Sequence, residues 1–133
     1  MRNYEILEHT ADLKIRAYGK NLEEIFSNML QGMFESCQPE MENREPVIRD
    51  VRVKSENLES LLIDFLSEAV YLSDTNNEAY FSADLTIGDN KLKGKIQGKK
   101  VKRFQIEIKA VTWHDLEIKK VGDQWQAVVL FDV

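Results

Sequence analysis

Two apolar stripes at helical spacing, followed by a long tract of period-two patterning, constrain this chain more than any other feature. Leu22, Ile25, Phe26, Met29, Leu30, Met33 and Phe34 recur at i, i+3 and i+4, as do Leu58, Leu61, Leu62, Phe65, Leu66, Ala69 and Val70. Each stripe is one face of an amphipathic helix. Asn21 and Asn57 stand where side-chain oxygens cap helix starts, and Glu23 and Glu24 complement the dipole of the first turn. From residue 79 the period becomes two, predicting strands at 79–87, 91–97, 101–110, 115–121 and 124–131. The turns between them are read at Gly88-Asp89-Asn90, Gly98-Lys99-Lys100, Thr112-Trp113-His114 and Gly122-Asp123. Residues 4–8 and 12–17 add short strands. The run from Pro39 to Pro46 reads as a loop, and Val47, Val51 and Val53 mark a strand after it. The pattern is that of an α+β fold: a single domain over residues 1–133, with two helices packed on a largely antiparallel β-sheet.

With 133 residues the chain suits one domain with a substantial core. No segment nears the ~20 apolar residues of a membrane helix, and the opening MRNYEILEHT has no apolar leader, so no membrane association and a cytoplasmic setting are expected. A single cysteine, Cys37, excludes an internal disulfide and a cysteine-rich metal cluster. It reads as a small residue at a helix end rather than a nucleophile. The net charge of −5 argues against a general polyanion binder, but the charge is uneven. Residues 91–120 hold ten Lys/Arg and three Asp/Glu, and the rest of the chain is strongly acidic. Lysines alternating along a hairpin ordinarily solvate its outer side. The same 91–103 stretch, with Phe104 and Trp113 nearby, is the element an independent RNA-binding module would use.

The last apolar run, Ala127-Val-Val-Leu-Phe131, is continuous. It reads as a central strand covered on both faces that fixes Asp132 and Val133 in place. His9-Thr10-Ala11-Asp12 is the first polar cluster at a strand break. Asp12 there reads either as a turn or cap residue or as a ligand for a hard cation. Asp12, Asp132 and the Val133 α-carboxylate are all oxygen donors, suited to Ca²⁺ or Mg²⁺. A zinc site from His9, His114 and Asp12, and a metal-dependent hydrolase on His9, Asp12 and Asp132, are weaker alternatives, because there is no HExxH pair. No GxSxG elbow, GxxxxGK[ST] loop or GxGxxG turn is present. Lys109 interrupts an apolar strand pattern. It reads as a lysine on a solvated face or as a cation presented to phosphate or carboxylate. Trp113 and Trp125 read as core or interface aromatics.

Taken together, Glu8-His-Thr-Ala-Asp-Leu13, Lys109-Ala-Val-Thr-Trp-His114 and the closing Val128-Val-Leu-Phe-Asp-Val133 resemble the archease family. Ala17-Tyr-Gly-Lys-Asn-Leu-Glu-Glu-Ile-Phe26 and Leu58-Glu-Ser-Leu-Leu-Ile-Asp-Phe-Leu66 match in the same order, so the likeness spans nearly the whole chain. Trp113 stands where many members carry tyrosine. The resemblance implies a protein cofactor, not itself an enzyme, that activates an RtcB-type RNA ligase in tRNA splicing by promoting ligase guanylylation and multiple turnover. RNA is then met indirectly, through the ligase. It implies a divalent metal site at Asp12, Asp132 and Val133, with calcium in family structures and magnesium or manganese as further candidates. It also implies a ligase-activating role for Lys109 together with Asp12 and Asp132. His9 and His114 are candidates for the surrounding shell. An independent RNA-binding module or a chaperone-like factor in tRNA processing is the alternative.

Overall fold

The computed structural model describes residues 2–9 and 12–133, leaving Thr10 and Ala11 of the first polar cluster outside the described residues. Helix α1 runs Leu22–Ser36 and helix α2 Leu58–Asn76. Both begin as the sequence predicts. The Oδ1 of Asn21 accepts from the Glu24 N–H at 2.8 Å, and that of Asn57 accepts from the Ser60 N–H at 2.8 Å. Helix α2 ends at Asn77, whose left-handed backbone (φ 56) lets its N–H reach the Ser73 carbonyl.

Among the described residues seven strands accompany the helices: β1 (Tyr4–His9), β2 (Asp12–Gly19), β3 (Pro39–Lys54), β4 (Glu78–Gly88), β5 (Lys91–Phe104), β6 (Ala110–Val121) and β7 (Gln124–Asp132). They form two antiparallel sheets rather than the single sheet expected, one ordered β1-β2-β7-β6 and the other β3-β5-β4. Helix α1 lies against both, touching β2 and β4, and α2 touches β6 as well as all three strands of the smaller sheet. The inward residues make one continuous core. Leu13, Ile15 and Ala17 of β2 and Ala127, Val129 and Phe131 of β7 meet Phe26, Met29, Leu30 and Met33 of α1. Leu61, Leu62, Phe65 and Leu66 of α2 close the cluster with Tyr80 and Ile96. Burial on this scale is the main stabilising term, about 25 cal/mol for each Å² of apolar surface removed from water.

Four boundaries differ from the sequence reading. The strand expected over 101–110 breaks, since β5 ends at Phe104 and β6 begins at Ala110. Residues 39–46 are strand rather than loop. Pro39 pairs with Phe104 and Pro46 with Lys99, with register breaks between. Because β3 is an edge strand, its prolines remove no ladder hydrogen bond that a neighbour needs. Gly98-Lys99-Lys100 is not a turn, and β5 passes straight through it. A Cβ on Gly98 would sit 1.7 Å from the Ala79 carbonyl oxygen, so glycine there permits close backbone approach beside the β4 bulge. Finally, Thr112-Trp113-His114 opens a bulge inside β6. Thr112 pairs with Leu130 and Glu117 with Val128, so residues 113–116 oppose a single β7 residue, with Asp115 at φ 56. The Asp89-Asn90 and Gly122-Asp123 turns stand as expected. Asp89 and Asn90 are both left-handed, as a tight two-residue hairpin requires.

Candidate functional site

The continuous apolar run near the end becomes β7, an interior strand between β2 and β6. Ala127, Val129 and Phe131 face the core, and on the outer face Val128 is buried and Leu130 half-buried. This anchoring carries Asp132 to a fixed place. In the β2–β7 register Asp12 stands directly opposite Asp132, and in the β6–β7 register Asp132 stands opposite Ala110. Asp12, Asp132 and Ala110 therefore form one row across three strands, at the end of the four-stranded sheet. Directly opposed residues project to the same side. Leu13 and Phe131 point inward from the next row, which places the two aspartates on the outer face.

Asp12 is half-buried and Asp132 exposed. Among the described residues neither carboxylate has a cationic partner. Two like charges directly opposed on a sheet are destabilising. A bare pair of carboxylates with the last residue, Val133, beside it is an all-oxygen donor set, and such a set fits a hard divalent cation better than a soft one. It is a small set. Among the described residues no group of three or more His, Cys, Asp or Glu side chains is arranged around a common centre. A cation here needs oxygen donors beyond the two aspartates to complete its coordination.

Lys109 lies not within a strand, as its pattern predicts, but in the 105–109 crossover that carries the chain from β5 to β6. Gln105 and Ile106 donate to the Cys37 carbonyl, which ties the start of the crossover to the end of α1. At the other end the Lys109 N–H donates to the Asp132 carbonyl at 2.7 Å, so the Lys109 backbone is clamped to the aspartate row. Its side chain is exposed, with no partner for its ammonium among the described residues.

The histidines divide. His9 pairs through its backbone with Leu13 beside the row, and its side chain lies outside the described residues. His114 sits in the β6 bulge, exposed, with Nε2 3.4 Å from an Asp115 carboxylate oxygen. Asp115 also receives Lys14, at 3.4 Å, from the outer face of β2. Asp115 escaped the sequence reading; its signal is only an aspartate in a Trp-His-Asp bulge, a residue type that tolerates left-handed backbone. Trp113 is 55 % exposed beside that bulge rather than core, whereas Trp125 packs on the core. Cys37 is buried, its thiol donates to the Met33 carbonyl, and burial, with Asp74 nearby, pushes its pKa up to about 12, as expected of an inert thiol.

A further ionic group went unread in the sequence. Glu78 is fully buried at the start of β4, where Arg49 of β3 donates to both its oxygens at 2.8 and 2.7 Å and the Tyr80 hydroxyl donates at 2.6 Å. Lys100 of β5 lies 3.7 Å away. The Arg49 hydrogen bonds hold the Glu78 carboxyl below its ordinary range against the opposing effect of burial. Every oxygen of this group is satisfied, and it ties the three strands of the smaller sheet together.

Fold and site thus define a small α+β protein whose singular feature is an oxygen-donor row at a sheet end, made from both ends of the chain. The Archease protein family (MTH1598/TM1083) model matches residues 4–133, and the chain belongs to that family. It is 38% identical to protein archease of Methanosarcina barkeri, over 99% of this chain and 97% of that one. It is 36% identical to protein archease of Pyrococcus furiosus over all of both chains. The solution structure of Methanobacterium thermoautotrophicum protein 1598 superposes with a TM-score of 0.77 at 30% identity over the whole of both chains. The crystal structure of an archease from Thermotoga maritima, described as a possible chaperone, gives 0.68 at 24% identity, covering 100% of this chain and 98% of that one. The second likeness speaks for the fold alone. Both agree with two helices packed on antiparallel sheets. Among the described residues no helix is long and apolar enough to cross a membrane.

Proposed function

We propose that this chain is the non-enzymatic activator of an RtcB-type RNA ligase in tRNA splicing, working in the cytoplasm through a divalent cation held at the Asp12–Asp132 row. The observation that carries the reading is the direct cross-strand opposition of Asp12 and Asp132, with the Lys109 N–H on the Asp132 carbonyl. Two unneutralised carboxylates in register stabilise a bound cation at a cost to the apo fold, an arrangement with no structural benefit of its own. Asp12, Asp132 and the α-carboxylate of Val133 are the residues to hold the ion. Ca²⁺, Mg²⁺ and Mn²⁺ all accept oxygen donors of this kind. When bound, a divalent ion supplies charge neutralisation for the triphosphate that reacts during ligase guanylylation. The chain's own part is positional. The β2–β7 pairing fixes the backbone of the two aspartates opposite one another, and Lys109, fixed at its backbone, offers a mobile ammonium to a phosphate or to a carboxylate of the ligase. His9 and His114 belong to the surroundings of the row rather than to the ligand set, and RNA is reached through the ligase.

The test is a single-turnover guanylylation assay of a purified RtcB-type ligase, with and without the chain, across a chelator titration. Stimulation is expected to fall at least ten-fold in Asp12→Asn, Asp132→Asn and Lys109→Ala, with folding retained. Removal of Val133 is also expected to weaken it, because the α-carboxylate then shifts by one residue. Undiminished stimulation by all of these variants overturns the reading. Protection of the ligase from aggregation with no change in its guanylylation rate instead marks a chaperone.

A further inference from the structure

The outer face of the smaller sheet carries a second place where like charges oppose one another. On β3, residues 48, 50, 52 and 54 point outward. On β5 the outward positions are 91, 93, 95 and 97, and on β4 they are 82, 84, 86 and 88. In register, Lys54 stands opposite Lys91 and Arg52 opposite Lys93, with Gly88 and Thr86 completing those rows on β4. Four cations therefore sit as two adjacent like-charge pairs, a juxtaposition that weakens a sheet. Among the described residues none of the four has an ion pair. The next row shows the ordinary arrangement. Lys95 lies between Asp50 and Asp84 and bonds Asp50 at 2.6 Å. Other lysines and arginines of the basic tract are likewise paired, Lys100 with Glu78, Arg103 with Glu40 and Lys119 with Glu117. Of the six cations of residues 91–120 that have no ion pair among the described residues, Lys91 and Lys93 join Lys54 and Arg52 of β3 in one unneutralised grid, while Lys99, Lys102, Lys109 and Lys120 lie outside it. A shallow groove runs beside the grid, lined by its four cations, by Thr86 and by the apolar Val53, Ile87 and Leu92, with Asp89 of the turn its one acidic residue.

We infer that this grid is a docking surface for the phosphodiester backbone of an RNA strand. The outward positions of the two rows hold no apolar or aromatic side chain. An acidic protein partner would seek an apolar centre with charges at its rim, and base stacking would need exposed aromatics. A flat set of cations whose rows are completed by Gly88 and Thr86 fits phosphates and is indifferent to base identity. Outward residues on one strand recur every ~6.6 Å, so the two pairs span successive backbone charges rather than one ion. The choice of RNA over DNA rests on the ligase reading above. The cationic surface does not, since it lies on the other sheet from the aspartate row.

The test is a fluorescence-anisotropy titration of the full chain with a labelled oligouridine, from about 50 to 200 mM salt. Four phosphate contacts predict a slope of log K against log salt of about −3 for single strands, falling to about −1.5 in the double variant R52Q/K93Q. The same variant is expected to melt at a higher temperature than the wild type, because it relieves the opposed charges; this separates lost binding from lost folding. A control variant, K119Q, on the other sheet is expected to bind as the wild type does. Absence of salt-dependent binding, an unchanged slope in R52Q/K93Q, or binding to polyglutamate but not to oligouridine overturns the proposal. Equal binding of an oligothymidine is expected, because contacts to phosphate alone do not read the sugar. No ligase is present in the assay. RNA binding without ligase stimulation therefore sinks the ligase reading alone, and stimulation without RNA binding sinks this one alone.

Discussion

Replacing Asp12 with asparagine removes one of two opposed negative charges while keeping the side chain's shape. Directly opposed residues in an antiparallel pair have Cβ atoms about 5 Å apart. Two unit charges at that distance repel by about 0.8 kcal/mol in a water-like dielectric. Half-burial of Asp12 lowers the effective dielectric, while rotation of exposed Asp132 away from its partner relieves part of the repulsion. The two corrections oppose each other, and the net gain expected for Asp12→Asn in the presence of chelator is about 0.5–1 kcal/mol. Aspartate and asparagine are both poor strand formers, so intrinsic propensity does not cancel this gain.

A divalent cation reverses the order. An ion that binds only the folded chain stabilises it by RT ln(1 + [L]/Kd), about 2.7 kcal/mol at a hundred times Kd. The wild type is expected to gain this, and Asp12→Asn to lose most of it. The assay is urea unfolding of both proteins in chelator and in saturating Ca²⁺, Mg²⁺ or Mn²⁺, read at the midpoint with the slope checked for constancy. Repeating the chelator arm near 1 M monovalent salt is expected to shrink the asparagine advantage, because the Debye length there is about 3 Å. The reasoning fails if Asp12→Asn is the less stable protein in chelator. Asp12 would then be holding the β1–β2 connection through hydrogen bonds of its own. It fails equally if neither protein responds to any of the three ions.

Two further outcomes test the fold around the site. Arg49→Ala strips Glu78 of its bidentate partner while leaving Tyr80 and Lys100; with Arg49 itself 37 % exposed, the expected loss is about 2 kcal/mol near pH 7, below the usual cost of orphaning a buried charge. In the wild type the lowered Glu78 pKa contributes stability present above its unfolded value and lost as pH falls through the folded one. Without Arg49 only Tyr80 and Lys100 oppose the burial, so the Glu78 pKa rises from its lowered position and the variant's deficit is expected to narrow by about pH 4; an equal deficit in urea unfolding at both pH values refutes the ionic account. Gly98→Ala places a methyl within 1.7 Å of the Ala79 carbonyl oxygen, a backbone atom that cannot swing aside, and is expected to cost at least about 2 kcal/mol in the same assay; a cost under half of that would mean β4 and β5 can part there freely.

What the sequence discloses here follows the range of the interactions involved. Both helices, with their asparagine caps, were legible because capping and the 3.6-residue stripe are local. So were the Asp89-Asn90 and Gly122-Asp123 turns and the apolar final strand. The errors lie where a distant neighbour decides. Gly98 reads as a turn residue until Ala79 of β4 is seen across from it. Pro39 and Pro46 read as loop until β3 is known to lie at an edge. The split into two sheets is likewise not encoded in any window of residues, since every strand is patterned alike. For the candidate site, the row of Asp12 and Asp132 came from the resemblance and from the anchoring logic of β7. Lys109 shares a role with that row only through the resemblance, and its pattern assigns it to a strand rather than to the crossover where it lies. Glu78 has no sequence signal at all, because an acid beginning a strand ordinarily faces water and its burial is made tolerable chiefly by Arg49, 29 residues away.

The charged cross-strand pairs of the two sheets sort into two kinds, and the division bears on function more than any single residue does. Arg49 with Glu78, Lys95 with Asp50 and Arg103 with Glu40 are opposite charges that lower the energy of the folded chain. Asp12 with Asp132, Lys54 with Lys91 and Arg52 with Lys93 raise it. A fold under selection for stability alone has inexpensive ways to remove the second kind, since one neutral substitution at an outward position suffices for each. Their segregation by sign, anionic at the end of one sheet and cationic on the face of the other, is not what random tolerance of mildly unfavourable pairs would leave behind. Local conflict with an otherwise consistent design is the expected mark of a surface shaped for a ligand. On the two proposals above, each surface takes charge of the opposite sign, a divalent cation at the first and a run of phosphates at the second.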